Sequence, residues 1–298
     1  MNASLTTTAA WGPLAEPIHT EAAAPGDPVW KDNAYLSVWD TDAEVFGTLH
    51  VSTSPNDERG RRTRCSMSAG GRTAEIIESL EPGSFTSSSI DFGLDGVVRV
   101  EHPDLTLELT STPLFVPADY AVGGLIPELV PGKPLQHYQQ GCAIAGTATF
   151  ADGTTHAFQG YGMRDRTWGF RDESAQWIEY AGLIAVSEDS FLTAMKFLGA
   201  DGTVRGDGFY ITGESSTPIT GIAFARDAAA QFVRATLTLA DGSEHVAHLT
   251  DRAAGFWVPM GAASEGPAFG TYDDFMRLVL DGRPGAGLFE QGILHRVW

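Results

Sequence analysis

Phe150-Ala-Asp-Gly-Thr-Thr-His156 sets an Asp-Gly pair between two strand-like flanks, and the device returns along the second half of the chain. Gly199-Ala-Asp-Gly-Thr-Val204 and Leu239-Ala-Asp-Gly-Ser-Glu-His245 repeat it, and Asp281-Gly282 follows the run Arg277-Leu-Val-Leu280. Asp-Gly tolerates the positive φ angles of a type I′ turn, whose twist suits antiparallel strands, so each pair predicts a hairpin. Upstream, Ala34-Tyr-Leu-Ser-Val-Trp39, Phe46-Gly-Thr-Leu-His-Val51 and Gly96-Val-Val-Arg-Val100 are rich in β-branched and aromatic residues. Leu105-Thr-Leu-Glu-Leu-Thr110 alternates cleanly, as a strand with one dry face does. With few helical stretches, the chain reads as all-β, its meandering antiparallel sheets closed or half-closed into barrels or sandwiches.

Thr271-Tyr-Asp-Asp-Phe-Met-Arg-Leu-Val-Leu280 admits two readings. It can be a helix capped by Thr271 with Asp274 reaching back, or a strand. The strand is preferred, because Gly285-Ala-Gly-Leu-Phe-Glu-Gln-Gly-Ile-Leu294 looks like its return partner. Pro117, Pro127, Pro131 and Pro134, with Gly123, Gly124 and Gly132, mark a connector. The expected division is an irregular lead-in over 1–30, a β domain over 31–130 and a second over 131–298.

Hydrophobic residues make up 43% of the 298, enough for a sizeable core. Lys and Arg number 19 against 38 Asp and Glu, a net charge of −19. Such a field repels phosphate backbones and anionic headgroups, so no nucleic-acid partner is expected. Cys65 and Cys142 stand far apart and read as reduced core thiols. Met1 to Ala10 has no basic start or apolar h-region, and no run of about 18 apolar residues occurs. The chain is therefore expected in the cytoplasm without integral membrane association; a homodimer is left open. His245 and His248, three apart, point to opposite faces of a strand, which argues against a metal site. There is no nucleophile elbow, P-loop or dinucleotide fingerprint.

The densest polar segment is Gly160-Tyr-Gly-Met-Arg-Asp-Arg-Thr-Trp-Gly-Phe-Arg-Asp172, followed by Trp177 and Tyr180. Strand alternation puts Arg164, Arg166 and Trp168 on one face, Asp165 and Thr167 on the other. A bend at Gly169 would turn Asp165 toward a cavity walled by Trp168. Burial there would make Asp165 a proton donor, whereas an adjacent guanidinium would hold it as a carboxylate. The same residues can instead form a structural knot of ion pairs and cation–π contacts. His137-Tyr138-Gln139-Gln140 offers a possible acid or base in His137, with Tyr138 and Gln140 to orient a polar group. Its plainer reading is a polar edge strand. Glu290 adds a carboxylate, by default on a solvent-facing strand position.

These segments resemble the group that includes the carotenoid hydratases (hydroxyneurosporene synthases) and lipocalin-like Diels–Alderases, in an actinobacterial-type branch. That signature runs His-Tyr-x-Gln, a hairpin, Gly-x-Gly-x-x-Asp-His-Ser-Trp-Gly-x-Arg and a terminal Gly-x-Gly-x-x-Glu. His137, Tyr138 and Gln140 match its first part. Gly160, Gly162, Asp165, Trp168, Gly169 and Arg171 match the second, and Gly285, Gly287 and Glu290 the third. Asn33 to Trp39 and Ser54-Pro-Asn56 resemble the group's opening, so the likeness spans about residues 30–296.

The resemblance implies two tandem lipocalin-like β domains with an apolar cavity in or between them. It implies chemistry without metal or redox cofactor on a terpenoid or polyketide-type molecule. Asp165 would be the acid, base or charge stabiliser, with His137 and Tyr138 as catalytic partners. Trp168, Trp177 and Tyr180 would wall the substrate, and Arg164, Gln140 and Glu290 would touch it. Arg166 stands where the group has His; a guanidinium is no acid near neutral pH, so it would hold a ligand oxygen. The expected function is a cofactor-independent lyase, isomerase or cyclase. The alternative is a non-catalytic carrier of a hydrophobic small molecule with Asp165 as a staple. A filled interior would instead mean an interaction protein.

Overall fold

The computed structural model describes residues 9–172, 177–199, 201–229, 231–259 and 269–294. Among them no α-helix occurs. The first ten strands are β1 (Trp30–Asp40), β2 (Val45–Thr53), β3 (Arg62–Ala69), β4 (Arg72–Ser79) and β5 (Ile90–Phe92), then β6 (Val97–His102), β7 (Leu105–Pro113), β8 (Ala118–Asp119), β9 (Gln136–Phe150) and β10 (Thr155–Phe170). They form one curled half-barrel sheet in the order β4-β3-β2-β1-β10-β9-β7-β6-β5, with β8 paired to β9. The next eight are β11 (Trp177–Val186), β12 (Phe191–Gly199), β13 (Val204–Thr212), β14 (Ser215–Arg226) and β15 (Phe232–Leu239), then β16 (Glu244–Pro259), β17 (Phe269–Leu280) and β18 (Arg283–Leu294). These run as an antiparallel meander, and β18 returns to pair with β11, closing a barrel. The fold is lipocalin-like, as expected.

Successive side chains of a strand point to opposite faces, and β1 is dry on both. Ala34, Leu36 and Val38 enter the core of the curled sheet with Leu49, Val51, Cys65 and Met67. The segment before β1 seals that core with Trp11 and Leu14. Tyr35 and Trp39 face the other way and join Phe46, Phe115, Tyr120 and Met163 against the barrel's outer wall, where Ile184, Phe191, Met195, Phe256, Phe275 and Leu288 receive them. The barrel is filled by its own side chains, among them Leu183, Leu192, Ile219, Leu237 and the stacked pair Phe232 and Phe289, 4.2 Å apart. Cys65 and Cys142 are buried free thiols, and burial pushes both up to about 12.

Two expectations change. Residues 136–170 were assigned to the second domain, but β9 and β10 pair into the first sheet, and the chain crosses to the barrel after Phe170. The Pro- and Gly-rich stretch is not the crossing. It is an excursion between β8 and β9 that packs Tyr120 and Leu125 into the seam and ties to the barrel through Arg205, which donates to the Gly124 carbonyl at 3.0 Å. Linkers and excursions share a composition, because both need backbone off the sheet.

The Asp-Gly turns sit where expected, but they are of two kinds. Asp281 and Gly282 both have positive φ, 50° and 81°, as a type I′ turn requires. At the other three sites only Gly153, Gly202 and Gly242 are left-handed. There the aspartate accepts from the backbone N–H two residues on, Asp152 from Thr154, Asp201 from Thr203 and Asp241 from Ser243, each at 2.9 Å. The segment 271–280 is a strand paired with β18 along its length.

Candidate functional site

Between the sheet and the outer wall of the barrel lies a narrow cleft enclosing about 80 Å³, with a mouth open to solvent. The sheet contributes Asn33, Tyr35, His137, Gln139, Met163, Asp165 and Thr167; the barrel contributes Tyr180, Met195, Phe197, Val258, Thr271 and Glu290. Leu125 and Ile126 of the excursion close one side. Its walls are mostly apolar, and a few polar groups converge within them, as in most small-molecule sites.

On the sheet side the odd-numbered face of β10 and the facing residues of β9 build a hydrogen-bonded chain. Thr167 Oγ1 donates to Asp165 Oδ1 at 2.9 Å, so it accepts from His137 Nδ1 at 2.6 Å. Tyr120 Oη of the excursion bonds Thr193 Oγ1 of the barrel at 2.7 Å, Thr193 donates to Gln139 Oε1, and Gln139 Nε2 donates to Asp165 Oδ2 at 3.4 Å. Two donor chains thus converge on one carboxylate. His137 Nε2 is left with a lone pair, buried without a hydrogen-bond partner, 3.3 Å from Asp165 Oδ2. Burial pulls the His137 imidazole below its ordinary value; Asp165 opposes this and Arg171 reinforces it. His137 Nε2 therefore lines the cleft with an open lone pair, which is the configuration of a base.

The barrel side is the reverse. Tyr35 Oη donates to Asp273 Oδ2 at 2.8 Å, and Tyr180 Oη donates to Glu290 Oε2. Burial raises the Asp273 carboxyl to about 7, more than Tyr35, Thr271 and Arg64 lower it. It raises Glu290 well above the carboxylate range too, helped by the charges of Asp273 and Asp165. These groups hold protons near neutral pH, as carboxyls in apolar surroundings do.

Of the residues expected at the site, Asp165, His137, Tyr180 and Glu290 come together in this cleft. Five others face away from it. Arg166 lies fully buried against Asp32 and under the rings of Phe85 and Trp168, and donates to the carbonyls of Asn33 and Glu16. Arg164 sits over Trp11 and Phe92 and donates to the Gly93 carbonyl at 3.0 Å. Gln140 ties down the carbonyls of Ala10 and Phe115 at 2.9 and 2.6 Å. Trp168 stacks on His19 at 4.9 Å, with Tyr138 5.4 Å away on the same face. Both faces of β10 are dry here, and this one looks into the sheet's own core. The side chain of Trp177 lies outside the described residues. His245 pairs with Asp281 at 2.5 Å on the surface, and among the described residues no cluster of His, Cys, Asp or Glu is disposed to hold a metal.

The sequence matches the model of a domain of unknown function, DUF7064, over residues 16–293. The chain belongs to this family. A search of curated proteins finds no match. Three solved structures share the DUF7064 protein's fold. A protein assigned as AttH from Nitrosomonas europaea is 14% identical, with a TM-score of 0.62 over 94% of this chain and 100% of that one. CghA is 12% identical, with a TM-score of 0.61 over 95% and 96%. Kievitone hydratase from Nectria haematococca is 12% identical, with a TM-score of 0.55 over 99% and 95%.

The glycines quoted for the resemblance have a packing reason in this DUF7064 chain. A Cβ on Gly160 or Gly162 would strike the carbonyls of Trp39 and Ser37 on β1, and one on Gly287 would strike the Ile184 carbonyl on β11. They let neighbouring strands close up beside the seam. Sequence reasoning missed Tyr35, Asp273, Thr193 and Tyr120. Only Gln139, lying inside the quoted His137-to-Gln140 run, had a signal pointing to it.

Proposed function

We propose that the protein is a cofactor-independent lyase, isomerase or cyclase, of hydratase or cyclase type. It moves a proton within a lipophilic terpenoid or polyketide-type molecule held between sheet and barrel. The carrying observation is the opposition of two walls, the raised Glu290 carboxyl on the barrel and the open His137 Nε2 lone pair beside Asp165 on the sheet. Glu290 lines the cleft and would give its proton to a double bond or a leaving oxygen. His137 Nε2, backed by Asp165, would take one from water or from carbon on the opposite side, so the net charge of the pair of walls is unchanged. The apolar lining excludes bulk water and strengthens both charges as they develop. A hydratase of the same fold supports an enzymatic reading. A carrier would bear the desolvation of two buried carboxyls without using them.

The test is a panel of apolar alkenes and enolisable ketones incubated with the protein in deuterated water. Wild-type protein is expected to incorporate deuterium or water into one class. Asp165→Asn and Glu290→Gln are expected to abolish this while still binding the molecule. Binding by wild type without any exchange would leave a carrier.

A further inference from the structure

The cleft's charges are lopsided. Asp165 and Glu290 line it, and Asp273 stands behind Tyr35, with Oδ1 buried and unpartnered. Arg171 is the one Lys or Arg among the described lining residues, and it sits on the sheet side against Asn33, whose Oδ1 accepts from its Nη1 at 3.2 Å. Arg64, which also faces Asp273, is paired with Glu75. His137 Nε2 and Asp165 Oδ2, 3.3 Å apart, are two acceptors sharing one missing donor. Tyr35, Tyr180 and Phe197 supply ring faces and edges around the same space.

We propose that the ligand of this cleft is a lipophilic cation, an apolar molecule bearing a protonated amine. Its ammonium would donate to Asp165 Oδ2, leaving the His137 Nε2 lone pair and the Glu290 proton for the transfer. An ammonium offers several donors and is attracted by aromatic faces, which a neutral alcohol is not to the same degree. A carboxylate ligand would meet the acids head on. Asp273, raised to about 7 in the empty cleft, releases its proton as the cation enters, because the new charge favours its ionised form, while Glu290, raised further, keeps the proton it transfers. The inference rests on the same cleft being the reaction chamber and adds the class of molecule that enters it.

Titration calorimetry of the full chain with decylamine, decanol and decanoate, each below its micelle concentration, tests it. Two buffers of unequal ionisation enthalpy reveal proton release. Decylamine is expected to bind about tenfold or more tighter than decanol, as one buried charge pair allows, and to release protons. Asp165→Asn should remove much of that preference, and Asp273→Asn the proton release. If either variant does not fold, the three ligands compared on wild type still decide the question. Decanol or decanoate binding as tightly as the amine, or amine binding without proton release, overturns the cation and leaves the proton-transfer proposal standing. No binding of any of the three chains overturns both.

Discussion

Tyr35 on the first strand of the open sheet donates to Asp273 on the barrel at 2.8 Å, both residues buried in the seam between the two units. The bond spans 238 positions of sequence. The Tyr120–Thr193–Gln139 chain also crosses the seam, and Arg277 donates to the Thr41 carbonyl at 2.8 Å. The site's polar groups are thus also fastenings between sheet and barrel, and their protonation bears on stability.

Burial raises Asp273 to about 7 and Glu290 above its ordinary range. A carboxyl raised in the folded state keeps a proton that the unfolded chain gives up. Its stabilisation is full below the ordinary carboxylate value and is lost as pH rises through the folded value. His19 and His137, both depressed by burial, act with the opposite sign across the histidine range. The clean observable is therefore a difference. Thermal unfolding of wild type and Asp273→Asn should diverge between about pH 4 and about pH 7, with the variant gaining on wild type as pH rises. Parallel curves would show that Asp273 is ionised throughout.

Arg166 should matter for stability and not for ligand. Its guanidinium and the Asp32 carboxylate are both wholly buried, and His19 adds a second contact to Asp32 at 2.9 Å. Removing one partner leaves the other charged in a dry place. Arg166→Met is expected to cost about 3–5 kcal/mol in urea unfolding. Affinity of the surviving folded protein for any cleft ligand should be unchanged; weakened binding with intact stability would restore Arg166 as a ligand group.

The proton inventory makes a spectroscopic prediction. Because Thr167 donates to Asp165, His137 must carry its proton on Nδ1. Nitrogen-15 spectra of histidine-labelled protein should show that tautomer for one buried imidazole. Thr167→Val should shift it toward the Nε2–H form, directed at Asp165. The Nε2–H tautomer in wild type would reverse the direction of the chain.

Gly160 and Gly287 should resist even the smallest side chain. Gly160→Ala and Gly287→Ala each press a methyl into a neighbouring strand's carbonyl, at an expected cost of about 1–3 kcal/mol. Gly285, whose added Cβ would meet only Leu278 Cδ1 at 3.4 Å and whose φ is not left-handed, serves as the control. Equal losses at all three positions would remove close approach as the reason.

Much of the fold was legible because hairpins are local. Ala-Asp-Gly-Thr and its relatives carry their turn chemistry within four residues, and Leu105 to Thr110 shows its dry face by alternation. The site was half legible. Alternation correctly separated Asp165 and Thr167 from Arg164, Arg166 and Trp168, but it could not say which face of a strand dry on both sides meets the cleft. A buried arginine looks functional until its partner is known, and Asp32 lies far upstream. Tyr35 and Asp273 carry no local signal, since each becomes polar company for the other only when the barrel docks. The excursion over 120–135 was visible as loop but not as the closing side of a ligand cleft.

Each unit has a packed core of its own. The barrel is packed by Phe232, Phe289 and their neighbours, and the curled sheet by its own core under Trp11 and Leu14. The cleft lies outside both cores, on the facing surfaces of the seam. Residues such as Val258, Met195 and Phe197 can change with little injury to either interior. Such a chain can drift in what it accepts while its architecture is conserved, so descendants of one ancestor could come to serve unlike molecules.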